Sequence, residues 1–430
     1  ASGRVQESAS GFDADAKGDF SWPLRAGNAL SLTFETPSLA NLSRWLPGEY
    51  LDPGPVSFES NFEIDSQNTP VGDFALTLGN NDLSGDAHLQ GINLSKFPDL
   101  SVNPGEKIRI TGALESSRLN MIEILPPRKR IREDPKPRDG VFSNDRLEVA
   151  WLDHVNLDVK LDADDLLTRG FEARGLKSRI RASDGKLEIS ARSGEFSGGT
   201  LDMDIELDTR QSPYAADLAF DMDGLILNRI PALKDVQLPL EGSLDVAINL
   251  SGQGGSSKEI MSTASGSFLA RGDNTYIPAT GFDLLTNSIL VQIFSAINPK
   301  KKSEVHRLDC GVIGFRIVDG IAISSDSIAL QTQDVTYLIR GGFSLKDESV
   351  VFLINPKARK GFGVSAANLT NFYRIGGNLL KPKIEADPGG GLKTGATWGL
   401  AAATAGLSIL AQGLFDKFTG DQDVCLSADK

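Results

Sequence analysis

A chain of 430 residues with net charge −13, 40% hydrophobic and 23% charged residues, 44 Gly and 20 Pro has the make-up of a folded protein of short strands and frequent turns, which excludes widespread disorder. The charge lies along outward strand positions rather than in a tail, so nucleic acid, whose phosphates it would repel, is excluded as the main partner. Two cysteines, Cys310 and Cys425, with no C-x-x-C and no Cys/His cluster at ligand spacing, leave no zinc site; they either close one disulfide in an oxidising compartment or are separate buried thiols.

The polar opening from Ala1 to Ser10 has neither signal peptide nor hydrophobic anchor, and the chain reads as the C-terminal portion of a longer polypeptide. Strands follow at Leu30 to Phe34, Val56 to Phe58, Phe62 to Ile64 and Phe74 to Leu78, with a short helical stretch, Leu39 to Leu46, after the first. This order recurs. Setting Phe34 on Phe220 sets Leu39 on Leu225, Leu42 on Asn228, Pro53 on Pro239, Phe58 on Leu244, Phe62 on Ile248 and Ile64 on Leu250, which suggests a duplicated module. The basic, Pro-rich run from Pro126 to Arg138 reads as a solvated linker, with a patch for anionic headgroups as the sharper alternative.

Alternating strands then run at Val155 to Leu161, Leu187 to Ala191, Leu201 to Leu207, Leu218 to Met222 and Leu244 to Leu250, with turns expected at Gly194 and Gly198-Gly199. The clearest, Leu201-Asp202-Met203-Asp204-Ile205-Glu206-Leu207-Asp208, puts four apolar side chains on one face and four carboxylates on the other. Consecutive strands with few helices between them imply antiparallel pairing. The apolar face must be covered by another sheet, by the same sheet curled over, or by a bound hydrophobic ligand.

Phe282, Leu285, Ile289, Ile293 and Ile297 repeat at helical spacing after Thr280, and Pro299 with the lysine run ends that helix. Strands resume at Gly314 to Val318, turn at Asp319-Gly320, and continue at Ile321 to Ser325, Ser327 to Thr332, Val335 to Arg340, Gly342 to Leu345 and Val350 to Ile354. The stretch from Thr394 to Phe415 is uncharged and 22 residues long, yet rich in Ala, Gly, Thr and Ser. Its apolar residues Trp398, Leu400, Leu407, Ile409, Leu410, Leu414 and Phe415 suit a membrane surface or a partner better than a span.

No reaction chemistry emerges. His88, His154 and His306 are scattered, and Gly389-Gly390-Gly391-Leu392-Lys393-Thr394 lacks the glycine a phosphate cradle needs before its lysine. The carboxylates are those of solvated strand faces, so the chain is expected not to be an enzyme and to need no cofactor or metal.

Several pieces then occur in a telling order. Gly266-Ser267-Phe268-Leu269-Ala270 leads to Gly281-Phe282-Asp283-Leu284-Leu285, and Asp309-Cys310 precedes Phe315-Arg316-Ile317-Val318-Asp319-Gly320. Leu330-Gln331-Thr332, Gly341-Gly342-Phe343-Ser344-Leu345 and Ile375-Gly376-Gly377-Asn378-Leu379-Leu380-Lys381-Pro382-Lys383 follow, then the Ala/Gly-rich segment and Cys425. Together they resemble the C-terminal region of the AsmA-like family of Gram-negative envelope proteins, from about Asp139 onward. The basic insertion and the absence of an N-terminal membrane helix depart from that pattern.

The resemblance implies a mainly β fold: a long curled antiparallel sheet forming an open hydrophobic groove, with a few short amphipathic helices and a C-terminal Ala/Gly-rich helical segment. With the strand pattern and the basic run before it, the chain is expected to divide into a groove module (1–125), a linker or excursion (126–138), an AsmA-like groove module (139–390) and an apolar helical tail (391–430). The resemblance further implies a periplasmic, inner-membrane-associated protein that carries phospholipid acyl chains between membranes, with phospholipid, membrane and envelope proteins as partners. The expected lining is Leu157, Val159, Leu201, Met203, Ile205, Leu207, Leu244, Val246, Ile248 and Leu250. A periplasmic setting favours a Cys310–Cys425 disulfide. The competing expectation is a scaffolding protein with a closed β core, assisting outer-membrane assembly through protein contacts.

Overall fold

The computed structural model describes residues 2–7, 12–19, 21, 25–39, 50–66, 69–93, 101–102, 107–126, 140–231, 242–277, 306–333, 335–358, 372–380 and 382–387. Two compact units divide the chain: Ala1–Glu133, Glu148–Arg210 and Ile230–Ala232 form the first, and Asp134–Leu147, Gln211–Arg229 and Leu233–Lys430 the second.

The first unit begins with β1 (Ser2–Glu7), β2 (Phe12–Asp19), β3 (Ala29–Thr36), β4 (Val56–Ile64), β5 (Pro70–Leu78) and β6 (Asn81–Gln90). A separate short pair, β7 (Ile92–Asn93) with β8 (Ser101–Val102), precedes β9 (Ile108–Ser116), β10 (Leu119–Asn120) and α1 (Met121–Ile124). Then come β11 (Val155–Leu167), β12 (Glu172–Ser183), β13 (Lys186–Phe196) and β14 (Gly199–Asp208). One ladder runs β1 to β6 in chain order, then β9, β11, β12, β13 and β14. Two-residue turns hold the later hairpins: Asp184-Gly185 and Ser197-Gly198 have positive φ at both positions, the backbone that matches the twist of paired strands.

The expected sheet was antiparallel throughout, and the ladder departs from that at one place. β9 and β11 run parallel, Gly112 opposite Val159 and Leu114 opposite Leu161, and β10 also pairs parallel to β11. Parallel neighbours need a crossover too long for a hairpin, and residues 117–154 supply it.

The second unit is an antiparallel meander of β15 (Ala215–Ile226), β16 (Ser243–Gln253), β17 (Ser265–Ile277), β18 (His306–Val318), β19 (Ile321–Thr332), β20 (Val335–Ser344), β21 (Val350–Ala358), β22 (Phe372–Gly377) and β23 (Pro382–Asp387). The Asp319-Gly320 turn forms between β18 and β19 with φ of 47° and 70°. The stretches expected as separate strands at Ile321 to Ser325 and Ser327 to Thr332 are one strand, β19, because a register shift between Ser324 and Ile328 absorbs the break as a bulge. Gly194, expected at a turn, is likewise inside β13 at a shift between Ser193 and Phe196. Both aligned stretches contain a hairpin, β3–β4 and β15–β16, but the registers differ: Phe34 pairs with Phe58, whereas Phe220 pairs with Ile248 and not with the aligned Leu244. The likeness ends there: α2 (Ser257–Thr263) stands where the first copy continues into β5.

Helix α2 is capped by Ser256, whose hydroxyl accepts from the Glu259 amide at 3.2 Å, while Glu259 reaches back to the Gly255 amide at 2.6 Å. Glu348, in the turn between β20 and β21, is only 2% exposed. Its carboxylate accepts from the Val141 amide (2.7 Å), the Phe142 amide (3.2 Å) and Lys258 Nζ (2.8 Å), and its carbonyl accepts from the Leu379 amide (2.8 Å). One side chain therefore fastens α2 and the segment after residue 139 to the hairpin. The expected helix from Phe282 to Ile297, most of the Leu39 to Leu46 stretch, the 126–138 linker after its first residue and the tail from 391 lie outside the described residues.

Candidate functional site

Residues paired across a ladder share a face, so the register settles which side chains lie together. On β11 to β14, Val159, Ile180, Ile189 and Ile205 form one cross-strand row, and Leu157, Ala182, Leu187 and Leu207 the next. Leu161, Ser178, Ala191 and Met203 form a third, and Ala163, Leu176, Ser193 and Leu201 a fourth. The parallel junction keeps the face: Leu157 opposes Ile110, and Leu161 opposes Leu114. Farther along, Phe74, Ser60 and Leu32 continue the Leu114 row through Gly85, and Phe58 stacks beside Phe74 with ring centroids 6.4 Å apart. All the expected lining residues of β11 and β14 thus occupy one apolar face of the first unit.

In the second unit Leu244, Val246, Ile248 and Leu250 also share a face. Phe220, Ile248 and Phe268 form one row, with Phe315 of β18 opposite Phe268. Met222, Val246, Ala270 and Ile313 form the neighbouring one.

Burial along these faces is uneven, and the unevenness matters. Ala163, Ala173, Leu176 and Ala191 make a closed cluster in the first unit, joined by Phe171, Phe196 and Met203. Four residues farther along β12 from Leu176, past Ser178, Ile180 is 38% exposed in the middle of its apolar row. Of the expected lining, Leu201 is buried and the rest are half-buried. In the second unit the face over β19 to β22 is a packed core: Ile354 is 0% exposed, with Ile339, Val350, Phe352 and Ile375 around it, and Phe315 packs 5.0 Å from Phe343 and 6.0 Å from Phe352.

The opposite face of the first unit is a lattice of ion pairs. Arg179 holds Asp158 with two bonds of 2.7 and 2.6 Å; Lys186 reaches Glu188 at 2.8 Å and Glu206 at 2.9 Å; Arg192 reaches Asp202 at 2.8 Å and Asp204 at 2.6 Å. Hydrogen bonding from Arg179 holds the Asp158 carboxyl below its ordinary value, and Lys186 does the same to Glu188. Arg210 lowers Asp208 to about 2. Such exposed pairs add little stability each. Their contribution is to register, because a one-residue slip would turn every charge inward.

β12 was not foreseen: Arg174, Lys177, Arg179 and Arg181 dominate its composition, and only Leu176, Ile180 and Ala182 at alternate positions mark its inner face. Cys310 is disulfide-bonded, and Cys425 lies outside the described residues. So do Trp398, Leu400, Leu407, Ile409, Leu410, Leu414 and Phe415. Among the described residues no helix is long and apolar enough to cross a membrane.

The AsmA family model matches residues 128–326, the segment that holds β11 to β18 and with them every expected lining residue. No curated protein matches the chain. No solved structure matches it either.

Proposed function

Taking as premise that the chain is AsmA-like over residues 128–326, we propose that it is a non-enzymatic lipid-transfer protein of the Gram-negative envelope. Phospholipid acyl chains lie along the apolar face, and headgroups stay in water at its margin. The observation that carries this reading is the exposed Ile180 amid Val159, Ile189 and Ile205: an apolar row with room left over it. Each square ångström of such surface covered by a hydrocarbon tail gains about 25 cal/mol. A contiguous apolar face of this kind is expected to be occupied in its working state. The setting we propose is the periplasm, in association with the inner membrane, with phospholipid, membrane and envelope proteins as partners and the segment from Trp398 to Phe415 touching a membrane or partner.

One observation favours the scaffolding reading for part of the molecule. The face over β19 to β22 is closed by its own side chains, so that stretch serves as a structural body rather than a path.

Mass spectrometry of lipids extracted from the gently purified chain tests the proposal. The wild type yields phospholipid; Ile205→Asp and Ile248→Asp lose most of it while keeping a β-rich far-UV spectrum. Asp204→Asn, on the charged face, retains it. Full lipid content in both Asp variants would refute this lining.

A further inference from the structure

We propose that the pocket at the β10 end of the first unit is a headgroup subsite for zwitterionic phospholipid, selecting an ammonium-bearing headgroup over a neutral one. This rests on the lipid reading above and names the class of lipid it takes.

The pocket has a volume of about 180 Å³ and is walled on one side by Arg118, Leu119 and Asn120 and on the other by the end of β11 and the start of β12. Leu166 and Ala173 line it and also belong to the closed apolar cluster of β11 to β13, which adjoins the open Ile180 row through Leu161 and Met203. Its polar groups carry both signs. Arg174 gives Nε to Asp165 at 3.0 Å and Nη1 to Glu195 at 3.0 Å, which leaves Nη2 without an acceptor among the described residues. Arg118 gives Nη2 to Glu123 at 3.1 Å and keeps Nη1 in the same state. Each guanidinium thus keeps a terminal nitrogen that can donate to a phosphate without surrendering its carboxylate. Glu172 is the complement. It lines the pocket, is half-buried, and its carboxylate has no hydrogen bond or ion pair to a described residue.

An unpaired carboxylate beside two unfilled guanidinium nitrogens and an apolar wall matches, group for group, an ammonium, a phosphate and the start of an acyl chain. A glycerol headgroup would leave Glu172 without a charge partner, and a polar group so left costs affinity that a matched one does not. Asn120 keeps the wall rigid: its side chain donates to Glu123 at 2.8 Å and accepts from the Ile122 amide at 3.1 Å.

Titrating the full chain with dihexanoyl phosphatidylethanolamine and dihexanoyl phosphatidylglycerol, both below their micellar concentrations, tests the subsite. The ethanolamine lipid binds about tenfold tighter to the wild type, one charge-assisted contact's worth. Glu172→Gln brings the two lipids level, and Arg118→Gln weakens both; Lys177→Gln, outside the pocket, changes neither. Equal affinities in the wild type, or a preference that survives Glu172→Gln, overturns the proposal. Full competition by inorganic phosphate also overturns it, since the pocket would then be a phosphate site only. The two readings fail separately. Lipid lost in Ile205→Asp with no headgroup preference removes the subsite alone, whereas headgroup preference with no co-purified phospholipid removes the acyl path alone.

Discussion

Glu348 sits with φ of 60° at a turn and with its carboxylate almost out of solvent, two costs that only its partners offset. Burial pushes its carboxyl up, but Lys258 and the Val141 and Phe142 amides outweigh that, and the net shift is downward. A carboxylate depressed in the folded state adds stability above its unfolded value, and that stability is lost as pH falls through the folded one. The same sign holds for Asp158, Glu188 and Asp208. Urea midpoints are therefore expected to be flat near neutrality and to fall from about pH 4.5 toward about 2. In Glu348→Ala two amides and Lys258 lose their acceptor, which costs roughly 3 kcal/mol at neutral pH and flattens the acid limb. A variant with the wild-type midpoint and the wild-type acid limb would contradict this account.

At the scale of elements, alternation was the legible signal. Leu201 to Asp208 states its two faces outright, and the register confirms them. Asp319-Gly320 announced its turn because both positions must take positive φ. What stayed hidden had physical causes: β12 wears its charges so densely that the inner Leu176, Ile180 and Ala182 are outnumbered, and bulges at Gly194 and between Ser324 and Ile328 imitate chain reversals. The pocket residues could not be found in advance at all, since Arg118 and Arg174 come to line one pocket only through the parallel pairing of β10 with β11. Glycine positions carry a separate constraint. Gly341 has φ of 138°, and a Cβ there would lie 2.1 Å from the Val351 carbonyl oxygen of the neighbouring strand. Gly341→Val should force β20 from β21 and speed amide exchange in both strands by more than tenfold. Gly376→Ala, whose Cβ would meet nothing within 4 Å, should stay within about 0.5 kcal/mol of the wild type. Equal exchange in the two variants would show that the strands can shift at no cost.

For the whole molecule, the mainly β character and the two-faced strands were readable, because period-two alternation is a local property. Membership of a shared face across many strands was not, since it depends on pairings between residues far apart in sequence. The disulfide at Cys310 is a further long-range tie, and Cys425 is the chain's other cysteine. Denatured without reductant, the chain is expected to take up no alkylating reagent; with reductant it takes up two equivalents and loses about 2–4 kcal/mol of stability. Labelling of both thiols before reduction would remove this tie.

The parallel junction between β9 and β11 also governs the order of assembly. Neighbours joined by two-residue turns can zip from those turns within microseconds, but this joint must first gather the ends of the long excursion through residues 117–154. The tight hairpins β12–β13 and β13–β14 are therefore expected to gain protection in pulsed amide exchange before the β9–β11 seam does.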